Sequence, residues 1–242
     1  MSTHDHFISG RDAKPRVVLA LVRDHYVGVA EGLESLRQLG TTPGVTLVVW
    51  SSSTTIPRDF QDRFAMAVGG CTFVGVLPGD PEALLAYQGV YVPIASSGLA
   101  FALSEGDDRD AMERTVLLAA FLGMPVAILG IGWEPNTKPW HQSGLGRAAT
   151  LWPDAWRMRS QRLRQLGMEI LRTSEQVADW AQRALDGPRM VDAAMIDGYL
   201  RRGQREVLVG EHTIVTPSAL DRLREYGMTL KMSGEKTWRL DE

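Results

Sequence analysis

The sequence predicts an α/β fold, a doubly wound and mainly parallel sheet with a small C-terminal α+β appendage. Two observations lead to this prediction. Short continuous apolar runs, such as VVLALV and VTLVVW, are typical of strands that are buried on both faces. Segments with apolar residues at helical spacing lie between these runs, so that strand and helix alternate. Right-handed crossovers between such strands build a Rossmann-like sheet.

The predicted elements follow one another closely. The predicted strands of the sheet are residues 17–22, 45–50, 72–76, 90–93 and 125–129. The predicted helices are residues 26–39, a segment opening at Pro57, residues 80–87 and 108–122, and a basic segment over 157–172. The C-terminal part is predicted to hold helices over 174–185, 191–202 and 218–226, and short strands over 206–209, 212–216, 228–232 and 237–240. The chain is therefore expected to divide into a flexible tail (1–15), an α/β domain (16–172) and a small α+β domain (173–242).

Composition narrows the classes of partner. The formal net charge of −3, from 26 basic and 29 acidic residues, indicates neither a nucleic-acid nor a membrane-surface protein. The single cysteine, Cys71, excludes an internal disulfide and suits a reducing cytoplasm. No apolar run reaches the ~18 residues of a membrane helix, and the first residues lack the apolar region of a signal peptide. A cytoplasmic protein is expected.

Hydroxyl-rich loops follow two of the predicted strands. Ser51-Ser52-Ser53-Thr54-Thr55 comes directly after the second strand, and Ser96-Ser97-Gly98 comes after the fourth. Open α/β sheets bind ligands at the carboxyl ends of their strands, so two such loops on adjacent strands would face each other across one crevice. The alternative is that these residues only cap helices and form polar turns. The pair of loops favours a binding site.

A long loop over residues 130–156 carries four tryptophans: Trp133, Trp140, Trp152 and Trp156. Long structured loops are often functional or lie at interfaces. Trp133 or Trp140 could stack on a planar ring or be buried against another subunit. The alternative is that the tryptophans pack the loop onto its own domain. Cys71 is expected to be a small, buried apolar residue rather than a reactive thiol.

The central stretch resembles a known family. The residues that carry the resemblance are Pro93-Ile-Ala-Ser-Ser-Gly-Leu-Ala100, Gly106-Asp107-Asp108 and Gly123-Met-Pro-Val126. Their order and spacing over residues 17–130 are similar to those of the flavoprotein superfamily, which includes flavin-containing cysteine decarboxylases and flavin prenyltransferases. The resemblance implies bound FMN, with Ser96, Ser97 and Gly98 against the cofactor and Asp108 at the position of the family's aspartate. It also implies that the loop with Ser51, Ser53 and Thr54 lies near the phosphate and ribityl chain.

The first loop departs from that family. Arg23-Asp24-His25-Tyr26 stands where the family has a glycine- and serine-rich phosphate turn, and Asp24 would repel a phosphate. No residue matches the catalytic histidine of the decarboxylases. Peptidyl-cysteine decarboxylation is therefore not expected, and no catalytic residue or metal ligand is assigned.

The C-terminal part carries a second resemblance. Residues 195–209, His212-Thr-Ile-Val-Thr-Pro-Ser-Ala219 and Tyr226-Gly227-Met228 are similar to a short segment found on several bacterial microcompartment proteins. This resemblance implies shell or cargo proteins of a microcompartment as partners. The flavoprotein resemblance implies a homo-oligomer, a trimer or larger, with the flavin at subunit contacts.

These observations predict an FMN-binding flavoprotein associated with a bacterial microcompartment, with a redox or flavin-related role. The cofactor-binding residues predicted for it are Ser51, Ser53, Thr54, Ser96, Ser97, Gly98, Asp108 and Trp133. Two alternatives stay open. One is a structural or cargo protein that has lost the flavin, and the other is a nucleotide-sugar or phosphate-ester enzyme that uses the same edge of the sheet.

Overall fold

A six-stranded, wholly parallel sheet forms the centre of the α/β domain in the computed structural model. The model describes residues 16–23, 25–52, 64–65, 68, 70–151, 154–184, 190–201, 203–209, 213–232 and 237–238. The strands are β1 (Arg16–Val22), β2 (Val45–Ser51), β3 (Thr72–Val74), β4 (Gly89–Val92), β5 (Val126–Leu129) and β6 (Met168–Leu171). Their order across the sheet is β3-β2-β1-β4-β5-β6, and each neighbouring pair is parallel. The predicted α/β fold class is confirmed.

Helices cover both faces of this sheet. They are α1 (Val29–Gly40), α2 (Pro81–Leu84), α3 (Ser97–Glu105), α4 (Ala111–Phe121), α5 (Lys138–Gln142), α6 (Ala148–Leu151), α7 (Ala155–Gln165) and α8 (Gln176–Ala184). Alternate residues of the strands point to opposite faces, so each strand feeds two cores. In β1, Val18, Ala20 and Val22 belong to one buried cluster, and Leu19 and Leu21 belong to the other.

The segment predicted as one basic helix over 157–172 is a helix followed by a strand. Helix α7 ends at Gln165, and Gly167 has φ 84°, a left-handed conformation that stops a helix. The next residues form β6, in which Met168, Ile170 and Leu171 are buried. The prediction was wrong because the arginines and leucines of this segment also fit helical spacing.

The α/β core extends beyond the expected boundary at residue 173. Val177, Trp180 and Ala181 of α8 belong to the same buried cluster as β1 and Tyr91 of β4. The Trp180 and Tyr91 rings lie 5.9 Å apart. Helix α8 is therefore part of the α/β domain, which continues to Ala184.

The remaining C-terminal residues have a core of their own. Their elements are β7 (Met190–Val191), α9 (Ala193–Arg201), β8 (Glu206–Val209), β9 (Ile214–Val215), α10 (Pro217–Tyr226), β10 (Thr229–Met232) and β11 (Thr237–Trp238). Strand β10 pairs parallel with β8 and antiparallel with β11, and β7 pairs parallel with β9. A separate cluster that includes Ile196, Val207 and Leu223 is buried between them. Within the described residues, no helix has the length and apolar character needed to cross a membrane.

Candidate functional site

The carboxyl edge of the sheet brings the predicted loops to one side of the molecule. The strand order reverses between β1 and β4, which is where open α/β sheets form a ligand-binding crevice. Val22 pairs with Ser51, and Ala20 pairs with Tyr91, so Ser51 and Pro93 end their strands at about the same height. However, β1 lies between β2 and β4, which places the two hydroxyl-bearing strand ends about 10 Å apart. The sequence had led us to expect these two loops on adjacent strands, and this expectation was wrong because β1 lies between them.

The loop after β1 fills part of this crevice. The imidazole Nε2 of His25 lies 2.8 Å from the carbonyl oxygen of Gly132, in the turn after β5. A Cβ atom at Gly132 would lie 2.1 Å from the carbonyl oxygen of Ala95, in the turn after β4. The loops after β1, β4 and β5 are thus in direct contact, and only glycine fits at position 132.

Burial determines the protonation state of His25. It lowers the pKa of the imidazole, although the hydrogen bond to Gly132 acts in the opposite direction. The ring is therefore neutral at neutral pH, and Nε2 carries the proton that it donates to Gly132. The neighbouring Tyr26 ring, 68% exposed, lies 4.2 Å from the His25 ring and meets Trp140 edge-on at 6.0 Å.

Arg23, at the end of β1, is bound by two carboxylates of α4. Its Nη1 donates to Oε1 of Glu113 at 2.8 Å, and its Nη2 donates to Asp110. Burial raises the pKa of Glu113, whereas a hydrogen bond from Glu113 lowers the pKa of Asp110. Both carboxylates accept hydrogen bonds from the same guanidinium. The arginine is consequently neutralised by the chain itself.

Sequence reasoning singled out Asp108 in this segment and did not consider Asp110 and Glu113, which the structure places against Arg23. Asp108 is exposed, and its backbone carbonyl accepts a hydrogen bond from Arg114. Asp110 caps α4 by accepting from the amide of Met112. An aspartate directly before a helix with a glutamate three residues later was a sequence signal for this position, but nothing local pointed to Arg23 as the partner.

In the Ser96–Gly98 turn, one residue caps a helix and the other two leave polar groups unbonded within the described chain. Ser96 Oγ accepts a hydrogen bond from the Leu99 amide at 3.1 Å, so Ser96 is the N-cap of α3. Ser97 is half-buried, and its hydroxyl makes no hydrogen bond to the described part of the chain. Gly98 is exposed. Ser51 is half-buried at the end of β2, and Ser53 and Thr54 lie outside the described residues.

The tryptophans of the long loop are mostly buried in their own domain. Trp133 is 3% exposed and its indole Nε1 donates to Ser160 at 3.2 Å. Trp140 is 5% exposed and donates to the carbonyl of Ile131 at 2.9 Å. These contacts agree with the alternative that the rings pack the loop onto its domain. Trp152 lies outside the described residues.

Cys71 is half-buried beside the cluster that contains α1. Burial raises the pKa of its thiol, which keeps the group protonated at neutral pH. A thiol in this state is a poor nucleophile, in agreement with the expectation that Cys71 is a packing residue.

The fold defines the class of the protein as a doubly wound α/β protein with the β3-β2-β1-β4-β5-β6 strand order. No family model and no curated protein matches the sequence. Three solved structures that it resembles are flavin proteins. An FMN-dependent cysteine decarboxylase of thioviridamide biosynthesis, TvaF, is 17% identical with a TM-score of 0.49, over 70% of this chain and 98% of that one.

The second structure is AnUbiX (PadA1) in complex with FMN and dimethylallyl pyrophosphate. It is 12% identical with a TM-score of 0.46, over 71% of this chain and 95% of that one. The third is a dodecameric FMN-dependent UbiX-like decarboxylase from Escherichia coli O157:H7, 14% identical with a TM-score of 0.45, over 70% of this chain and 93% of that one. At these identities and scores, the likenesses carry no inference about the site of this chain.

Proposed function

We propose that this protein is an FMN-binding flavoprotein that holds the cofactor at the carboxyl edge of β1, β2 and β4. The observation that carries the proposal is the reversal of strand order between β1 and β4, beside the N-terminus of α1. In such sheets the first helix after the switch point presents its free amides to a phosphate. The flavoprotein resemblance of the sequence points to the same edge.

The N-terminus of α1 fits a phosphate group. Gly28 precedes the helix in a left-handed conformation, φ 81°, and no side chain caps the first turn. The first amides of a helix have no partner within the helix. Val29 and Ala30 are exposed residues, whereas Gly28 is buried against Ile131 and Gly132. The absence of a capping side chain leaves room for an anion there.

Charge at this edge favours binding through backbone amides and hydroxyls. Arg23 is engaged by Asp110 and Glu113 and supplies no free positive charge. Ser51, with Ser53 and Thr54 of the same loop, would face the ribityl chain, and the Ser96–Gly98 turn would lie toward the ring. Asp108, which is exposed, and Trp133, which is buried, complete the proposed set of cofactor-binding residues. The flavin would supply redox chemistry, and the protein would bind and orient it.

The test is FMN uptake by the purified protein and a charge variant of α1. Titration with FMN, followed by flavin fluorescence and the visible spectrum, is expected to show saturable binding. Ala30→Glu places a negative charge in the first turn, where it stabilises the helix but repels a phosphate, so FMN affinity should fall about tenfold or more. Ala30→Gln is the neutral control of the same size and should bind FMN nearly as the wild type does. No uptake by the wild type, or equal affinity in both variants, would reject the proposal.

We further propose that the protein is a cytoplasmic homo-oligomer and that its C-terminal unit directs it into a bacterial microcompartment. Support comes from the resemblance of residues 195–228 to microcompartment segments, together with the separate core of that unit. Deleting residues 190–242 should release the protein from co-purified shells without loss of FMN binding. Retention of the shortened chain in the shells would count against this role.

A further inference from the structure

A small cavity lies beside Ser97, between α3, α7 and the long loop that begins at residue 130. Its lining includes Ser97, Trp133, Pro135, Trp140, Trp156 and Arg159. The walls are therefore largely aromatic, with a single charged side chain. No carboxylate is among the lining residues that the structure describes.

Two side chains of this cavity, Arg159 and Trp156, carry hydrogen-bond donors without partners among the described residues, whereas the indole N–H groups of Trp133 and Trp140 are bonded to Ser160 and Ile131. The guanidinium of Arg159 stacks on Phe101 at 5.4 Å and forms no ion pair with any described residue. The indole Nε1 of Trp156 is buried and has no hydrogen-bond partner in the described chain. A buried donor that is left unpaired costs about 1–3 kcal/mol, so a bound acceptor would be favourable here.

The N-terminus of α3 adds further donors. The side chain of Ser96 bonds the Leu99 amide, and its carbonyl accepts from Ala100. The amides of Ser97 and Gly98 make no hydrogen bond with the part of the chain that the structure resolves. The positive end of the helix thus reinforces the charge of Arg159.

We propose that this cavity binds the carboxylate group of a small organic acid. A carboxylate has only acceptors and one negative charge, which matches the unpaired donors and the single guanidinium. A phosphate dianion would leave one charge uncompensated among aromatic walls. Because the cavity is small, the remainder of the ligand extends from its opening. The site goes beyond the proposed function, since it requires neither FMN nor a reaction.

Calorimetric titration of the full chain, without FMN, tests the site. The probes are propionate and benzoate, and their neutral counterparts are propionamide and benzamide. At least one acid should bind, with its amide about tenfold weaker or more, because the amide lacks the charge that pairs with Arg159. Repeating the titration with FMN present shows whether the two sites are independent. Failure of FMN binding leaves this result unaffected.

Three variants identify the groups responsible. Arg159→Gln should weaken the acid about tenfold or more, and Trp156→Phe, which keeps a ring but removes the N–H, should weaken it about threefold or more. Arg164→Gln removes an exposed arginine of the same helix and should change the affinity by less than about twofold. If Arg159→Gln fails to fold, the comparison of acid with amide and the Trp156→Phe variant decide. Absence of acid binding, equal binding of acid and amide, or undiminished binding to a folded Arg159→Gln variant would overturn the proposal.

Discussion

At the residue scale, one buried hydrogen bond joins the first helix to the centre of the sheet. Tyr91 of β4 is fully buried, and its hydroxyl donates to Ser35 Oγ of α1 at 2.6 Å. Ser35 in turn donates to the carbonyl of Gly32 at 2.7 Å. Burial raises the pKa of the Tyr91 hydroxyl well above its usual range, so the group stays a neutral donor. The two residues are 56 positions apart, so this pairing is purely tertiary.

The two ends of this bond should respond differently to mutation. Ser35→Ala leaves the buried hydroxyl of Tyr91 without an acceptor and should lower the free energy of unfolding by about 1–3 kcal/mol. Tyr91→Phe removes that hydroxyl, while Ser35 keeps its bond to Gly32, so the loss should be about 1 kcal/mol or less. Urea denaturation of both variants and the double variant measures the difference. A larger loss in Tyr91→Phe than in Ser35→Ala would contradict this assignment.

At the element scale, α1 approaches β4 so closely that one of its positions requires glycine. A Cβ atom at Gly32 would lie 2.5 Å from Cγ1 of Ile94 and 2.7 Å from the carbonyl oxygen of Pro93. Both atoms belong to the turn at the carboxyl end of β4. The packing of α1 therefore positions the helix N-terminus to which we assign the phosphate.

Gly32→Ala should destabilise the protein although alanine is the better helix former. Relief of glycine's entropy would stabilise a helix by about 1 kcal/mol, but displacement of a backbone carbonyl should cost about 1–3 kcal/mol. A net loss of about 1 kcal/mol or more is expected in thermal or urea unfolding, with weaker FMN binding. Gly98→Ala in α3 is the control for stability alone, since a Cβ there meets only Ser96 Oγ at 3.6 Å. Equal stability of the two variants would contradict this prediction, because it would show that α1 can shift to accommodate the added methyl group without a cost in stability.

At the scale of the whole molecule, α8 completes the α/β domain. Trp180 is 1% exposed, and it is buried with Val177 and Ala181 in the same cluster as Leu36 and Leu39 of α1, so α8 and α1 cover one face of the sheet together. The boundary between the two parts of the chain therefore lies after Ala184. The C-terminal unit buries a different cluster of residues.

Two shortened chains distinguish this boundary from the one expected at residue 173. A chain of residues 1–189 should unfold cooperatively, whereas a chain of residues 1–172 should lack a cooperative transition. Loss of a buried tryptophan alone costs about 3–5 kcal/mol, a large part of the 5–15 kcal/mol that stabilises a typical domain. Calorimetry and near-ultraviolet circular dichroism measure the transition. A folded chain of residues 1–172 would show that α8 is dispensable, and Trp180→Ala in the full chain should report the cost directly.

The buried strands β1, β2, β4 and β5 could be predicted from the sequence, because continuous apolar runs are local signals of parallel strands. It also placed hydroxyl-bearing loops after β2 and β4, with helix capping as the alternative to a binding site, and Ser96 does cap α3. Gly167 was visible, but the arginines and leucines around it fit a helix equally well, so β6 was missed. Local sequence patterns predict whether a segment is a helix or a strand more reliably than they predict where it ends.

The arrangement of these elements is visible only in the folded chain. The position of β1 between β2 and β4 separates the two hydroxyl loops, and no local pattern encodes the order of strands in a sheet. The same holds for Arg23, whose partners Asp110 and Glu113 lie 87 and 90 positions away along the chain. The unpaired donors around Arg159 likewise come from the N-terminus of α3 and from α7, which meet only after folding. Contacts between residues far apart in sequence depend on packing, and packing is a property of the whole chain.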